Sequence, residues 1–306
     1  MMERGNKIKT IIGVKGIDIQ NQVYAQQCKR NITEDKHNSK LLLGVESMED
    51  VCRQIEEHIH SFHRLVGDVE DIGDALLFSN RNFPSAAYNH ATKVRVGESE
   101  TNRLIVDVIR YYQSMKFKPC FMLYPTTRPT TFTDSLLKAD FDLIDEENAM
   151  IFKGKLENAK LNSDVKVTTI DGKQLDIWTK VLLKGYGLPE DFCKVVQDMF
   201  IKVSHDNGSK FYLAYFQGKP AGSCLFYSYN DVGTIYTVAT VPEHTKKGVA
   251  TALLNRAIAD SFNIGNKMLY LLAEKGSDAE KLYEKLGFEA EFSRRLYELH
   301  PKKQCR

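Results

Sequence analysis

"VPEHTKKGVATALL", residues 241–254, passes within a few positions from a proline and a polar turn, through a lone glycine, into apolar residues at helical spacing. The run before it is β-branched and aromatic, so the chain goes from strand to helix here. Val249, Leu253, Leu254, Ala257, Ile258 and Phe262 then share one helical face until "NIGN", residues 263–266, ends it. A helix N-terminus offers unpaired N–H groups and a partial positive charge, and a turn that converges its amides cradles anions such as phosphate. Thr245, Lys246, Lys247, Gly248, Val249, Ala250 and Thr251 occupy that place. Gly248 allows close approach of a bulky anion, Ala250 keeps the next turn small, and the lysines add charge. A Walker loop is excluded because no G-K-[ST] follows a glycine at the required distance, and a dinucleotide fingerprint because there is no G-x-G-x-x-G.

Working outward, "KFYLAYF" (210–216), "AGSCLFYSY" (221–229) and "GTIYTVATV" (233–241) read as a meander of three antiparallel strands joined by "QGKP" and "NDVG". Downstream, "KMLYLLA" (267–273) is a short buried strand. "GSDAEKLYEKLGF" (276–288) is a helix with Ser277 and Glu280 as a capping box and Gly287 as a left-handed stop, and "EFSRRLYEL" (291–299) is a last strand. Upstream, residues 171–200 read as two helices broken between Gly185 and Pro189, a pair that either walls a cleft or simply packs.

The composition sets bounds. With 306 residues and 42% hydrophobic content the chain has room for two domains with their own cores. A formal charge of +2 carries no nucleic-acid footprint. Six scattered cysteines without a C-x-x-C or zinc spacing, and a start without an apolar leader, lead to the expectation of a cytoplasmic protein with free thiols and no metal. No apolar run reaches the roughly 20 residues of a membrane span. Cys193 and Cys224 read as packing residues.

The meander, loop, helix, strand and "LYEKLGF", across residues 165–299, resemble the GNAT family of N-acetyltransferases. The resemblance implies a loop that holds the pyrophosphate of acetyl-coenzyme A, and a strand before it, at Val238, Ala239 and Thr240, that splays from its neighbour and pairs with the pantetheine. The family pattern Q/R-x-x-G-x-G/A is met by "TKKGVA" with Thr245 where Gln or Arg is usual; this costs a side chain but not the amides. Gly276 falls where many relatives have a coenzyme-contacting asparagine, leaving Ser277 as a weak stand-in. Acetyl transfer to an amine needs a neutral nucleophile, a polarised carbonyl and a proton for the departing thiolate. Tyr283, on the face of Ala279, Leu282 and Leu286, is the candidate for that proton. Many relatives carry a glutamate as base on the strand before the loop, which "TIYTVATV" lacks. Glu243, His244, His205, Asp231 and Tyr236 are near in sequence, and a water chain would also serve.

The first half echoes the second. Residues 122–141 can be laid on residues 268–288 with a one-residue gap, both after an amphipathic helix, and Leu136 falls where the second copy has Tyr283. "TKVRVGES" (92–99) before the earlier helix has no cradle. The expected architecture is α/β (α+β): two tandem GNAT-like domains, each a twisted, mostly antiparallel sheet flanked by helices. Residues 1–40 have no assigned role, 41–160 form a degenerate non-catalytic copy, and 165–306 a catalytic one. The expected function is acetyl transfer from acetyl-coenzyme A to a small-molecule primary amine by direct attack in a ternary complex, without nucleic acid or membrane partners. A non-catalytic acyl-coenzyme A sensor is the alternative, and aminoacyl transfer from charged tRNA a third. The acceptor and oligomeric state are not legible.

Overall fold

A computed structural model describes residues 47–154 and 161–300; the stretch 1–40 lies outside them. The first half runs α1 (Met48–Val66), β1 (Asp68–Asp71), β2 (Leu76–Ser79), β3 (His90–Thr92), α2 (Thr101–Ser114), β4 (Cys120–Leu123), α3 (Phe132–Lys138) and β5 (Phe141–Phe152). The second runs β6 (Val165–Ile170), α4 (Leu175–Gly185), α5 (Cys193–Val203), β7 (Ser209–Phe216), β8 (Lys219–Tyr229), β9 (Val232–Thr240), α6 (Val249–Asn263), β10 (Met268–Glu274), α7 (Asp278–Lys285) and β11 (Phe288–Leu299).

The expected meander is present, extended by β6 as an edge strand on β7. The stop at Gly287 is left-handed, with φ 93°. Two details differ from the sequence reading. Ser277 caps α7 by accepting from the Glu280 amide at 3.1 Å, but Glu280 reaches back to the Gly276 amide at 2.6 Å, so the capping box is closed one residue early. Phe262 is 40% exposed and leans on Phe152 instead of joining the buried face of α6.

The eleven strands of the described residues form one sheet, ordered β1-β2-β3-β4-β11-β5-β10-β9-β8-β7-β6. The two halves thus merge, and they exchange their last strands: β5 pairs with β10 of the second half, and β11 with β4 of the first. β5 and β11 pair antiparallel at the centre along nearly their whole length. The elements of the sequence echo are equivalent here: β4, α3 and β5 correspond to β10, α7 and β11 in order and connection.

One face of the sheet is covered by α1, α4 and α5 over a core shared by both halves, which includes Ile59, Phe62, Trp178, Phe200, Tyr236 and Tyr270. On the other face α2 and α3 cover the first half around Phe121 and Leu136, while α6 and α7 cover the second around Leu253 and Tyr283. Helix α1 starts with a complete Ser47–Asp50 capping box and buries Val51, Ile55, Ile59, Phe62 and Val66, whose spacing is that of a helical stripe. It reaches across to the second half: His58 Nδ1 lies 2.9 Å from the Tyr270 hydroxyl, Ser61 Oγ lies 3.0 Å from the Tyr227 hydroxyl, and the Phe62 ring is 4.5 Å from that of Tyr236.

Burial holds His58 and His90 neutral, lowering each to about 3. Burial, followed by the neighbouring His90 and His60, pushes His63 well below its ordinary value. The unfolded chain protonates these groups below about pH 6.5 while the fold does not, so their contribution to stability is lost as pH falls through that value. His63 stacks on Phe78 with ring centres 4.2 Å apart. His63→Phe, which keeps the stack, is expected to lose less Tm than the parent between about pH 7 and pH 5 in thermal denaturation.

Candidate active site

Strands β9 and β10 run parallel and are paired only at Val232–Thr234 and Met268–Tyr270. Beyond that they part, while β10 stays paired with β5 on its other edge. The cause is local. Between the pairs Ser223–Ala239 and Leu225–Tyr236, β9 has two residues, Thr237 and Val238, against the single Cys224 of β8. This is a β-bulge, which bends the bulged strand and sharpens its twist. Thr237 sits at φ 53°, a conformation costly for a β-branched residue, and its buried hydroxyl has no hydrogen-bond partner among the described residues.

The wedge opens into a cleft of about 370 Å³ between β9, the start of α6 and α7. At one end is the predicted cradle. Lys246 and Gly248 have φ 60° and 80°, and Gly248 is the N-cap of α6 with no side-chain cap, so the first amides of the helix are left to face the cleft. A Cβ on Gly248 would meet only the Asn162 Cβ, at 3.5 Å. The glycine is therefore required by the left-handed turn, and not by crowding from the protein. Along the wall, the β10-facing edge of β9 from Ile235 onward lacks a strand partner and presents backbone amides and carbonyls. Gly185 ends α4 so close to β9 that a Cβ there would lie 2.8 Å from that of Ala239. This brings Tyr186 over the cleft, its hydroxyl donating to the Val238 carbonyl at 3.4 Å.

Tyr283 lines the opposite wall with Ala279 and Leu282 and is 2% exposed. Burial, then the Cys224 thiol, pushes its hydroxyl well above the ordinary phenol value, so it remains protonated and able to donate. Of the other predicted site residues, Val238, Ala239, Thr240, Thr245, Lys246, Val249, Ala250 and Thr251 line the cleft with Gly248. Lys247 and Ser277 do not: the Lys247 carbonyl accepts from Asn162, and Ser277 serves as the cap of α7. Asp278 lines it without having been assigned, and His244, weighed as a base, lines it too. Among the residues weighed as bases, Glu243 pairs with Lys184 at 2.7 Å on the surface, Asp231 pairs with Lys267 at 2.9 Å, His205 is exposed, and Tyr236 is buried in the shared core. Cys224 is buried and Cys193 half-buried, both as free thiols.

A carboxylate group that the sequence did not reveal stands on the shared face. Glu147 and Glu274 are register partners on β5 and β10, and Asp145 is two residues before Glu147 on the same face. Arg294 bonds Glu147 Oε2 at 2.6 and 2.8 Å. Burial, then the Glu147 charge, pushes Asp145 up to about 7, with Glu274 adding to the rise and Arg294 opposing it. No local sequence signal marks Asp145, because β5 reaches this place only through the strand exchange.

The comparisons agree with this geometry. Residues 178–288 match the model of the acetyltransferase (GNAT) family. Residues 178–288 are therefore similar to a GNAT domain, a family of acetyltransferases. Among solved structures, a GCN5-related N-acetyltransferase from Kribbella flavida is 11% identical with TM-score 0.64, covering 83% of this chain and 97% of that one. One from Sphaerobacter thermophilus is 16% identical with TM-score 0.60, covering 82% and 90%. A tandem GNAT protein from the clavulanic acid biosynthesis pathway is 13% identical with TM-score 0.52, covering 70% and 76%. The fold is thus that of tandem GNAT proteins. No curated protein matches the chain. Among the described residues no group of three or more His, Cys, Asp or Glu is placed to hold a metal, and no helix is long and apolar enough to cross a membrane.

Two substitutions probe the site. Gly248→Glu forces a side chain into the left-handed turn, at a cost of roughly 1–2 kcal/mol, and puts negative charge in the cradle. It is expected to abolish acetyl-coenzyme A binding in calorimetry, and unchanged affinity would mean that the loop is not the anion site. The second concerns Asp145, whose folded pKa lies above the ordinary 3.8. The fold keeps its proton up to about pH 7 where the unfolded chain has lost it, so its contribution to stability is lost as pH rises. Asp145→Asn is expected to exceed the parent in Tm at about pH 8 and to match it near pH 4, read from melting curves.

Proposed function

We propose that the chain is an acetyl-coenzyme A dependent N-acetyltransferase in which residues 165–306 are the catalytic domain and residues 41–160 a non-catalytic copy. The acceptor is a small-molecule primary amine that attacks directly in a ternary complex. The observation that carries this reading is the wedge opened by the Thr237 bulge, with the helix amides of α6 at one end and the Tyr283 hydroxyl on the wall. Such a cleft fits the coenzyme: the turn at Lys246–Gly248 and the start of α6 receive its pyrophosphate, and the free edge of β9 receives its amide-bearing arm. When bound, the coenzyme supplies an acetyl group activated as a thioester.

The protein's own groups supply the rest. Backbone N–H groups at the bulge stabilise negative charge on the acetyl oxygen. Tyr283, protonated at every physiological pH, donates to the departing sulfur. Asp145 lies on the shared face, at the far side of the sheet from α6, two residues from the Glu147 that Arg294 holds. Tyr186, where α4 meets β9, and α1, packed over β8 and β9, close the acceptor side. The Cys224 thiol is buried and pushed far above its usual value, which supports direct attack by the amine.

The test is calorimetric titration with acetyl-coenzyme A followed by a panel of small amines with thiol release as readout. Binding and release with at least one amine are expected. Tyr283→Phe should lower turnover about 10²-fold or more with coenzyme affinity little changed. Binding without release for any amine would overturn the catalytic reading.

A further inference from the structure

The first half has its own cavity, of about 580 Å³, on the shared face between α1 and the segments that follow β3 and β4. It lies where the acceptor side of a GNAT domain would be, since α1 precedes β1–β3 as α4 and α5 precede β7–β9. The coenzyme groove beside it is shut. Where β9 and β10 part, the strands after β3 and β4 stay joined: Arg95 and Arg128 form a parallel bridge, with the Arg128 amide bonded to the Val94 carbonyl at 3.0 Å and the Val96 amide to the Arg128 carbonyl at 3.2 Å. What remains is a pocket without an acetyl donor.

Its lining is charged in both senses. Glu49 is consumed by Arg53 at 2.7 Å and Arg128 at 3.3 Å. Glu56 is different: it is 3% exposed, and its Oε2 accepts from Thr126 Oγ1 at 2.9 Å and lies 3.4 Å from Arg95, while Oε1 has no partner. A buried carboxylate left half-satisfied is costly, and a cation at the site would relieve it. Beside it Glu57 is half-exposed, 3.5 Å from Arg64 and 3.7 Å from His60. Among the described residues Lys93, which lines the same pocket, has no ion-pair partner within 4 Å, and Arg95 reaches Glu56 through Nη2 at 3.4 Å while its Nη1 donates to the Val94 carbonyl at 2.8 Å. A purely anionic ligand would stand against Glu56 and Glu57, and a purely cationic one against Lys93 and Arg95. A ligand carrying both charges a few atoms apart meets both.

We propose that this pocket binds a small zwitterion of the free α-amino-acid type, its ammonium on Glu56 and Glu57 and its carboxylate on Lys93 and Arg95. The degenerate half is then a ligand-binding module whose site is separate from the acetyl-transfer cleft.

The test uses the full chain. The twenty common L-amino acids are screened by thermal shift, and hits are titrated by calorimetry alongside the matching carboxylic acid without the amine and the matching amine without the carboxylate. At least one amino acid is expected to bind, each single-charge analogue about tenfold more weakly or worse. Lys93→Asn and Glu56→Gln should each weaken the amino acid at least about tenfold and leave acetyl-coenzyme A affinity unchanged. Asparagine tolerates the left-handed backbone at position 93, φ 52°, so this variant keeps the test valid should Glu56→Gln fail to fold. Three results would overturn the proposal: no binding by any amino acid; equal binding of the acid lacking an amine; or binding unaffected by Lys93→Asn, which would assign the amino acid to the acceptor side of the other half.

Discussion

Arg294 on β11 and Glu147 on β5 meet in the middle of the sheet, each side chain 5% exposed, with the Tyr124 hydroxyl accepting from the remaining guanidinium edge at 3.0 Å. Burial works against the charge of Arg294, but Glu147 and Tyr124 outweigh it and hold the guanidinium well above its ordinary value. A buried ion pair of this kind adds little net stability over an apolar pair, yet removing one partner typically costs about 3–5 kcal/mol. Its strength is as a specifier. β5 and β11 are the strands the halves have exchanged, and a slip of one residue would put Arg294 and Glu147 on opposite faces, each buried without the other. The pair fixes the register on which the whole eleven-stranded sheet is assembled.

From that register follows the contrast between the two halves. Each has a parallel strand pair, β3 with β4 and β9 with β10, followed by a turn into a helix. In the second half the bulge at Thr237 turns β9 away, and the left-handed turn at Gly248 aims the amides of α6 into the gap. In the first half the backbone bridge at Arg95 and Arg128 closes the gap, and the turn before α2 carries Glu98 and Glu100, whose charges would repel an anion at that helix N-terminus. Leu136, buried beneath α3, takes the place of Tyr283 and has no proton to give.

The local features were legible in the sequence because their causes are local. A glycine between polar turn and helix, alternating aromatic and β-branched runs, and "LYEKLGF" with its terminal glycine each specify their own backbone geometry. The repeat was also legible, through apolar spacing. The exchange of β5 and β11 was not, since strand pairing between segments some 150 residues apart leaves no mark on either segment. Everything that depends on the exchange was hidden with it, including the carboxylates around Asp145. Ser277, read both as a helix cap and as a weak stand-in at the site, has its hydroxyl on the Glu280 amide. The stripe of α1 was readable, but its partner surface, β8 and β9 of the other half, was not.

The exchange also explains why a half with a closed groove remains necessary. Opening the wedge leaves β10 without hydrogen bonds to β9 beyond Tyr270. On its other edge β10 stays paired with β5, from the first half, along Tyr270–Glu274. The groove of the second half therefore rests on a strand of the first, and the strained Thr237 and the raised Asp145 are borne by a sheet that both halves hold together. The first half gives that support with its own strand pair held closed by the bridge between Arg95 and Arg128.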